Sequence, residues 1–268
     1  MRRAAVLLAL GLAGCGTGGT AGSRASAHPM RVMSLNQCTD QLVLALLPPA
    51  RIASVTWLSR DQRYSAAASA ARAVPVNHGG VEEVATTAPD LVVTDSFSNP
   101  AGRAMLHRLG VPLLELPDAG DPAAVRATIA TLATRLGERA RGAALLARFD
   151  RGLAAARQQR PIRAAWWGRD GTGESPLGAA LLRAVGLTDV TAPGDVETLL
   201  ATDPALLVTV ARDPTQDSLG DARAERPLVR RRWPPARRLV VREADLICGG
   251  PALADAALSL RRQVDALR

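Results

Sequence analysis

The chain has 268 residues, of which 47% are hydrophobic and 22% are charged, and this balance is typical of a globular protein. Its length allows one large domain or two lobes of about 100 to 130 residues each. All 33 basic residues are arginine, and the net charge of +8 is scattered without a basic stripe that alternates with aromatic residues. This distribution argues against a nucleic-acid partner. Beyond the N-terminal segment, no run reaches the roughly 18 apolar residues of a membrane span.

The first residues carry a pattern that is typical of export. Arg2 and Arg3 precede an apolar run, and small residues then lead to Cys15. The sequence LAGC that ends at Cys15 resembles a bacterial lipobox, which implies that residues 1–15 are a signal peptide and that Cys15 is lipidated. An alternative cleavage site follows Ala27.

Residues 16–29 are rich in Gly, Ser and Thr, which predicts a flexible tether. Removal of Cys15 from the count leaves Cys38 and Cys248. In an exported protein these two cysteines can form a single disulfide, and two buried free thiols are the alternative. Both cysteines fall at predicted turns, and a bridge between them would join the two halves of the chain and restrict their opening.

Strands and helices alternate through the predicted N-terminal lobe, residues 30–118. Strand patterns cover residues 31–35, 52–57, 90–94 and 111–116, and helical patterns cover 39–47, 81–87 and 101–109. This alternation predicts a parallel sheet that is covered by helices on both faces.

The predicted connection, residues 119–160, is almost entirely helical and is divided by Gly137. Its second part, residues 138–159, could form one helix of over twenty residues, about 30 Å long. Pro161 would end this helix. A straight helix of that length would limit how far two lobes can move.

The predicted C-terminal lobe, residues 161–268, repeats the alternation. Strand patterns cover residues 163–167, 205–209 and 238–241, and helical patterns cover 177–185, 196–201 and 253–267. The phrases VEEVATTAPDLVV (81–93) and VETLLATDPALLV (196–208) share a helix that begins with Val-Glu, a proline and an apolar strand. Two related α/β lobes are typical of a clamp that holds a ligand between them.

Several segments together resemble a known family. RVMSLNQCTDQLVLAL, VEEVATTAPDLVVT, LHRLGVPLLEL and CGGPALADA resemble the periplasmic iron-complex and cobalamin binding proteins of ABC importers. The resemblance implies a class III periplasmic binding protein, with two Rossmann-like lobes that are joined by a single long rigid helix. It also implies a monomeric, lipid-anchored periplasmic receptor without an intrinsic cofactor. Such a receptor would capture a ferric siderophore, cobalamin or haem and deliver it to a permease dimer with its ATPase.

The same resemblance implies that Glu82 and Glu197, one in each half, dock into arginine pockets of the permease. Charged pairs of this kind give orientation and association rate more than affinity. The alternative is that each glutamate only complements the dipole at a helix N-terminus.

Ligand contacts are expected in the loops that follow the strands. In the resemblance, Tyr64 occupies the place of a cleft tyrosine that ligates iron in haem-binding members, and a surface aromatic is the alternative. One of the adjacent Trp166 and Trp167 is expected to point into the core, because neighbouring strand residues face opposite ways. The candidate ligand-binding residues are Asn36, Gln37, Trp57, Arg60, Tyr64, His78, Phe97, Trp167, Arg169 and Trp233.

The sequence contains none of the catalytic motifs that would indicate an enzyme. The glycines of residues 168–173 fit neither a phosphate loop nor a dinucleotide fingerprint, and no G-x-S-x-G motif occurs. The three histidines lack metal-site spacing. We therefore predict a receptor rather than an enzyme, with an exported hydrolase-type enzyme or a structural lipoprotein as alternatives.

Overall fold

Two parallel β-sheets form the framework of the computed structural model, which describes residues 28–168, 176–211 and 225–267. The described strands are β1 (Val32–Ser34), β2 (Ile52–Thr56), β3 (Val76–Asn77), β4 (Leu91–Asp95), β5 (Leu113–Leu116), β6 (Arg163–Trp166), β7 (Thr188–Asp189), β8 (Leu206–Val210) and β9 (Arg238–Val241). The first sheet has the order β3-β2-β1-β4-β5 and the second β7-β6-β8-β9. Every pairing is parallel. The expected α/β class with two parallel sheets is confirmed.

Helices connect successive strands and cover the sheets. Those in the described residues are α1 (Gln37–Leu46), α2 (Ala68–Ala71), α3 (Val81–Thr87), α4 (Pro100–Arg108), α5 (Pro122–Leu136), α6 (Arg139–Ala156), α7 (Pro176–Val185), α8 (Val196–Thr202), α9 (Pro227–Arg232) and α10 (Ala252–Ala266). Short 3-10 turns lie at Pro49–Arg51, Trp57–Arg60, Pro235–Arg237 and Glu243–Asp245.

The connecting helix α6 is shorter than the sequence predicts. It has 18 residues and is about 27 Å long, and Arg157 leaves the helical conformation with an extended backbone. The next backbone N–H, that of Gln158, donates to Val185 O at the end of α7, at 2.8 Å. A bond to the second lobe therefore replaces the last turn of the predicted helix.

The two halves repeat one structural unit with a constant offset of 115 residues, since α3 begins at Val81 and α8 at Val196. Each helix ends at a residue with positive φ, Ala88 (46°) or Asp203 (39°), followed by one proline and the next strand. The strands that follow occupy equivalent places, because β4 lies between β1 and β5 and β8 between β6 and β9.

Both faces of each sheet are buried. One large apolar cluster runs from the first sheet through α1, α5 and α6 to α7, α10 and the second sheet. A smaller cluster around Met33 and Val92 covers the other face of the first sheet, and one around Trp167 and Trp233 covers that of the second. The lobes therefore have separate sheets but share a continuous core along the connecting helices.

Candidate ligand-binding cleft

A disulfide between Cys38 and Cys248 brings the carboxyl ends of the two sheets together. Cys38 lies in the first turn of α1, directly after β1, and Cys248 follows β9, with their Cα atoms 5.2 Å apart. Close by, the backbone of Gly249 packs on Ala119, which follows β5, so that a Cβ at Gly249 would lie 1.7 Å from Ala119 O. In open α/β sheets, ligands bind outside the carboxyl ends of the strands. We refer to this place, where both carboxyl edges meet, as the cleft edge.

Asn36 and Asp95 fix the loops that follow β1 and β4 to each other. The Asn36 side-chain oxygen accepts from the backbone N–H of Cys38 at 2.7 Å and caps α1, while its amide donates to the Asp95 carboxylate. The other carboxylate oxygen of Asp95 accepts from the backbone N–H groups of Phe97 (3.1 Å) and Ser98 (2.6 Å). This network holds the Phe97 ring out of the core, with the residue 63% exposed.

Asp40, a residue that the sequence analysis did not select, positions the turn that carries Trp57. One oxygen of this buried carboxylate accepts from the Thr56 N–H at 3.0 Å, from the Thr56 hydroxyl at 2.5 Å and from the Ser59 hydroxyl. Burial raises the Asp40 pKa to about 6, although these hydrogen bonds oppose the shift. Trp57 remains 52% exposed. The sequence signal that could have selected Asp40 is that it is the only acidic residue in the mainly apolar helical pattern 39–47.

Gln37 and Tyr64 come together in the next loop. The Gln37 amide donates to the backbone carbonyl of Tyr64, and the Arg63 guanidinium lies 5.3 Å from the Tyr64 ring centroid. Arg63 also pairs with Asp61 at 2.5 Å. Tyr64 is half-buried, beside a guanidinium that is itself paired with Asp61.

Arg60 and His78 lie on the same lobe, but their polar groups already have partners. The Arg60 guanidinium donates to the carbonyls of Ala71 (3.3 Å) and Val74 (2.7 Å). It therefore holds the loop between β2 and β3, and ligand binding by the exposed Arg60 stays a prediction. His78 is exposed after β3, and its ring Nδ1 lies 3.4 Å from a Glu83 carboxylate oxygen.

The predicted tryptophans of the second lobe are core residues. Trp167 is 1% exposed and Trp233 is fully buried, with its indole N–H donating to Pro204 O at 2.8 Å. Trp166 is also buried. The expectation that Trp167 and Trp233 contact ligand is therefore corrected. Adjacent strand residues do face opposite ways, but both faces of this sheet are covered, so both positions are inside.

Among the described residues, the second lobe instead presents Val210, at the end of β8, and Ile247, beside the disulfide, as exposed apolar side chains near its carboxyl edge. The sequence analysis selected neither, although Ile247 stands next to Cys248. Arg169, Cys15 and the segments before residue 28 lie outside the described residues.

The model of the family described as periplasmic binding protein matches residues 32–230. The chain belongs to this family. No curated protein matches the chain. The family and its solved structures are binding proteins, not enzymes.

Solved structures share the fold of this periplasmic binding protein. A periplasmic haem-binding protein from Pseudomonas aeruginosa has 22% identity and a TM-score of 0.66, with 87% of this chain and 91% of that chain covered. A periplasmic binding protein from Veillonella parvula has 17% identity and a TM-score of 0.71, with 89% and 92% covered. The vitamin B12 binding protein BtuF of Vibrio cholerae has 15% identity and a TM-score of 0.65, with 89% and 98% covered.

Glu82 and Glu197 occupy equivalent places in this periplasmic binding protein. Each is the second residue of its helix, α3 or α8, and each is exposed. Neither carboxylate forms an ion pair with any residue in the described ranges. The N-terminal capping falls to other residues, because Glu83 accepts from the N–H of Gly80 and Asp195 from that of Val196. The two glutamates therefore take no part in hydrogen-bonded capping, and both the dipole role and permease docking stay predictions.

Residues 28–168, 176–211 and 225–267 hold neither a membrane-spanning helix nor a metal-binding cluster. No helix there is long and apolar enough to cross a membrane. No cluster of three or more His, Cys, Asp or Glu side chains in that part of the chain is arranged to hold a metal ion.

Proposed function

We propose that this protein is the receptor of an ABC importer and that it captures a metal chelate between its lobes. The observation that carries the proposal is the cleft edge, where the carboxyl ends of two parallel sheets meet beside exposed aromatic rings. Binding proteins of the same fold for haem and vitamin B12 support it.

The chemistry of the first lobe favours a large ligand with flat or apolar faces. Trp57 and Phe97 expose aromatic surface, and an aromatic ring stacked on a macrocycle buries much apolar area at little entropic cost. Asn36, Gln37 and His78 contribute polar groups around them. The candidate cargo is a ferric siderophore, cobalamin or haem.

If the cargo is haem, Tyr64 is the candidate iron ligand. Its hydroxyl forms no hydrogen bond within the described residues, so a phenol oxygen is available to ferric iron. The iron would arrive with the cargo, and the protein would need no resident metal.

Delivery would use Glu82 and Glu197 as the two contacts with the permease dimer. Their placement on repeated helices, one in each lobe, gives two separate negative charges that can orient the loaded receptor. Cys15 would supply the lipid anchor on the periplasmic side of a membrane, with the receptor acting as a monomer.

A titration of the purified protein with haemin, cyanocobalamin and a panel of ferric siderophores tests the proposal. Absorbance and calorimetry should show saturable binding of at least one ligand. Trp57→Ala should weaken that binding roughly tenfold or more, since stacking on an aromatic side chain is lost. Leu109→Ala removes an equally exposed apolar side chain at the end of α4 and should leave affinity unchanged. Failure of every ligand to bind would contradict the proposal and leave a structural lipoprotein.

A further inference from the structure

A pocket lies on the C-terminal lobe, away from the cleft edge. It has a volume of about 520 Å³ and is lined by Glu225, Pro227, Arg230, Arg231, Trp233, Pro235 and Arg238. Arg238 is the first residue of β9, whereas the cleft edge follows the last residue of that strand. The pocket therefore opens at the amino end of the second sheet, and its volume lies within the usual range for small-molecule sites.

Arg238 lines this pocket, and two of its three guanidinium nitrogens have partners. Its Nε donates to Trp233 O at 2.7 Å, and one terminal nitrogen donates to the Glu225 carboxylate at 2.9 Å. The other terminal nitrogen, Nη2, is buried and has no hydrogen-bond partner. A buried N–H without an acceptor costs free energy, and an anion in the pocket would remove that cost after a shift of the side chain that exposes Nη2.

Arg230 and Arg231 add positive charge at the same pocket. Both are exposed on α9, and neither guanidinium has an ion pair or hydrogen bond with a described residue. The flanking arginines, in contrast, form ion pairs: Arg226 lies 3.8 Å from Asp195, and Arg232 lies 2.5 Å from Asp203. These two ion pairs join the ends of α9 to the ends of α8, so the arginines between them are held on a fixed helix.

We infer that this pocket binds a small anion with two or more negative charges on carboxylate or phosphate groups. Glu225 neutralises one of the three arginines that line the pocket, which leaves two positive charges for the ligand. Guanidinium groups match both kinds of oxyanion through paired N–H donors. Pro227 and Pro235 supply exposed apolar surface above the buried Trp233, which favours a compact organic acid or phosphate ester over a bare inorganic ion.

Calorimetric titration with citrate and with inorganic phosphate, at constant ionic strength and without any chelate, tests this site. Wild-type protein should bind at least one probe saturably, with citrate the tighter one. The double variant Arg230→Ala/Arg231→Ala should bind roughly tenfold more weakly or worse, because both free charges are removed. The charge-matched control Arg148→Ala/Arg151→Ala removes two exposed arginines of α6 and should bind like wild type.

The variants separate a site from a general effect of anions. Equal responses of wild type and both variants would overturn the inference, as would no saturable binding of either probe to the wild type. In uniformly ¹⁵N-labelled protein, the Arg238 side-chain resonance should shift on titration with citrate, and an unmoved Arg238 signal would place the anion elsewhere. Chelate binding at the cleft edge does not enter this assay, so either proposal can fail alone.

Discussion

Asp40 shows how one buried carboxylate can position a binding surface. It receives its hydrogen bonds on one oxygen, while the other oxygen is buried without a partner. Its ionised form is therefore incompletely solvated by the protein, which explains why burial dominates the direction of its pKa shift.

The Asp40 shift predicts a pH dependence of stability. Its folded pKa of about 6 lies above the ordinary value of 3.8 for an exposed aspartate, so the folded state binds more protons between these two pH values. The stabilisation that Asp40 contributes is fully present below pH 3.8 and is lost as the pH rises through about 6. The change in the free energy of unfolding amounts to about 3 kcal/mol at most when the pKa rises from 3.8 to about 6.

Denaturant unfolding of wild type and Asp40→Asn, at about pH 4 and about pH 7.5, measures this contribution. The free energy of unfolding of wild type should fall relative to the variant as the pH rises. Asp61, Glu83 and Glu115 have lowered pKa values and act in the opposite direction, but they are common to both proteins. Parallel pH profiles would show that Asp40 does not titrate in this range.

Replacing Trp233 or Trp57 by alanine should have opposite effects on stability and on chelate binding. Trp233→Ala removes a fully buried ring and should cost about 3–5 kcal/mol of stability. Trp57→Ala removes a half-exposed ring and should cost less than about 1 kcal/mol while it weakens chelate binding. Thermal unfolding of the two variants checks the expected difference in stability. A large loss of stability in Trp57→Ala would mean that the ring serves the fold rather than the ligand.

At the scale of elements, the repeated unit was readable in the sequence because its signals are local. The predicted bounds of α3 are the observed ones, since Gly80 precedes the helix and the Ala88-Pro89 step ends it. The strands β3 and β7 were missed because two residues at a sheet edge carry no periodic pattern. The helix α9 was missed because its charged run, Arg230 to Arg232, hides a single buried residue, Val229.

The candidate site was less predictable than the elements. Loops after strands could be located, which selected Asn36, Trp57 and Phe97. Whether a loop side chain faces solvent depends on what covers it, and residue spacing does not contain that information. Trp167 illustrates the limit, because only the second covered face of its sheet explains its burial.

Substitution of the glutamates on α3 and α8 should impair delivery of the chelate to the permease without impairing chelate binding. In Glu82→Gln/Glu197→Gln, the affinity for the chelate should stay within about twofold, because neither glutamate is among the candidate ligand-binding residues. Binding to the permease in lipid nanodiscs, and stimulation of its ATPase, should fall roughly tenfold or more. The control Asp150→Asn/Asp255→Asn removes two other exposed carboxylates and should behave as wild type. Unchanged permease binding in the glutamate variant would contradict docking through these helices.

At the scale of the whole molecule, the lobes are joined both covalently and by packing. The disulfide closes a loop with a sequence separation of 210 residues, and the main apolar cluster continues through α6 into both sheets. These connections indicate a clamp that opens little, in contrast to lobes that hinge on an exposed linker.

The disulfide predicts a large effect on stability. The loop-entropy relation gives a stabilisation of about 5 kcal/mol for a loop of this length. Cys38→Ser/Cys248→Ser should therefore unfold at lower denaturant concentration, and reduction should lower the stability of wild type but not of the variant. Non-reducing mass spectrometry of exported protein should find both thiols oxidised. Two free thiols, or a variant as stable as wild type, would contradict a bridge between the lobes.

Hydrogen exchange measured with and without bound chelate tests the central claim that cargo is held between the lobes. Exchange should slow in both lobes together, at residues 57–64 and 95–98 of the first and at residues 242–249 of the second. The second-lobe pocket at residues 225–238 should be unaffected. Protection confined to one lobe, or found only at residues 225–238, would contradict capture at the cleft edge.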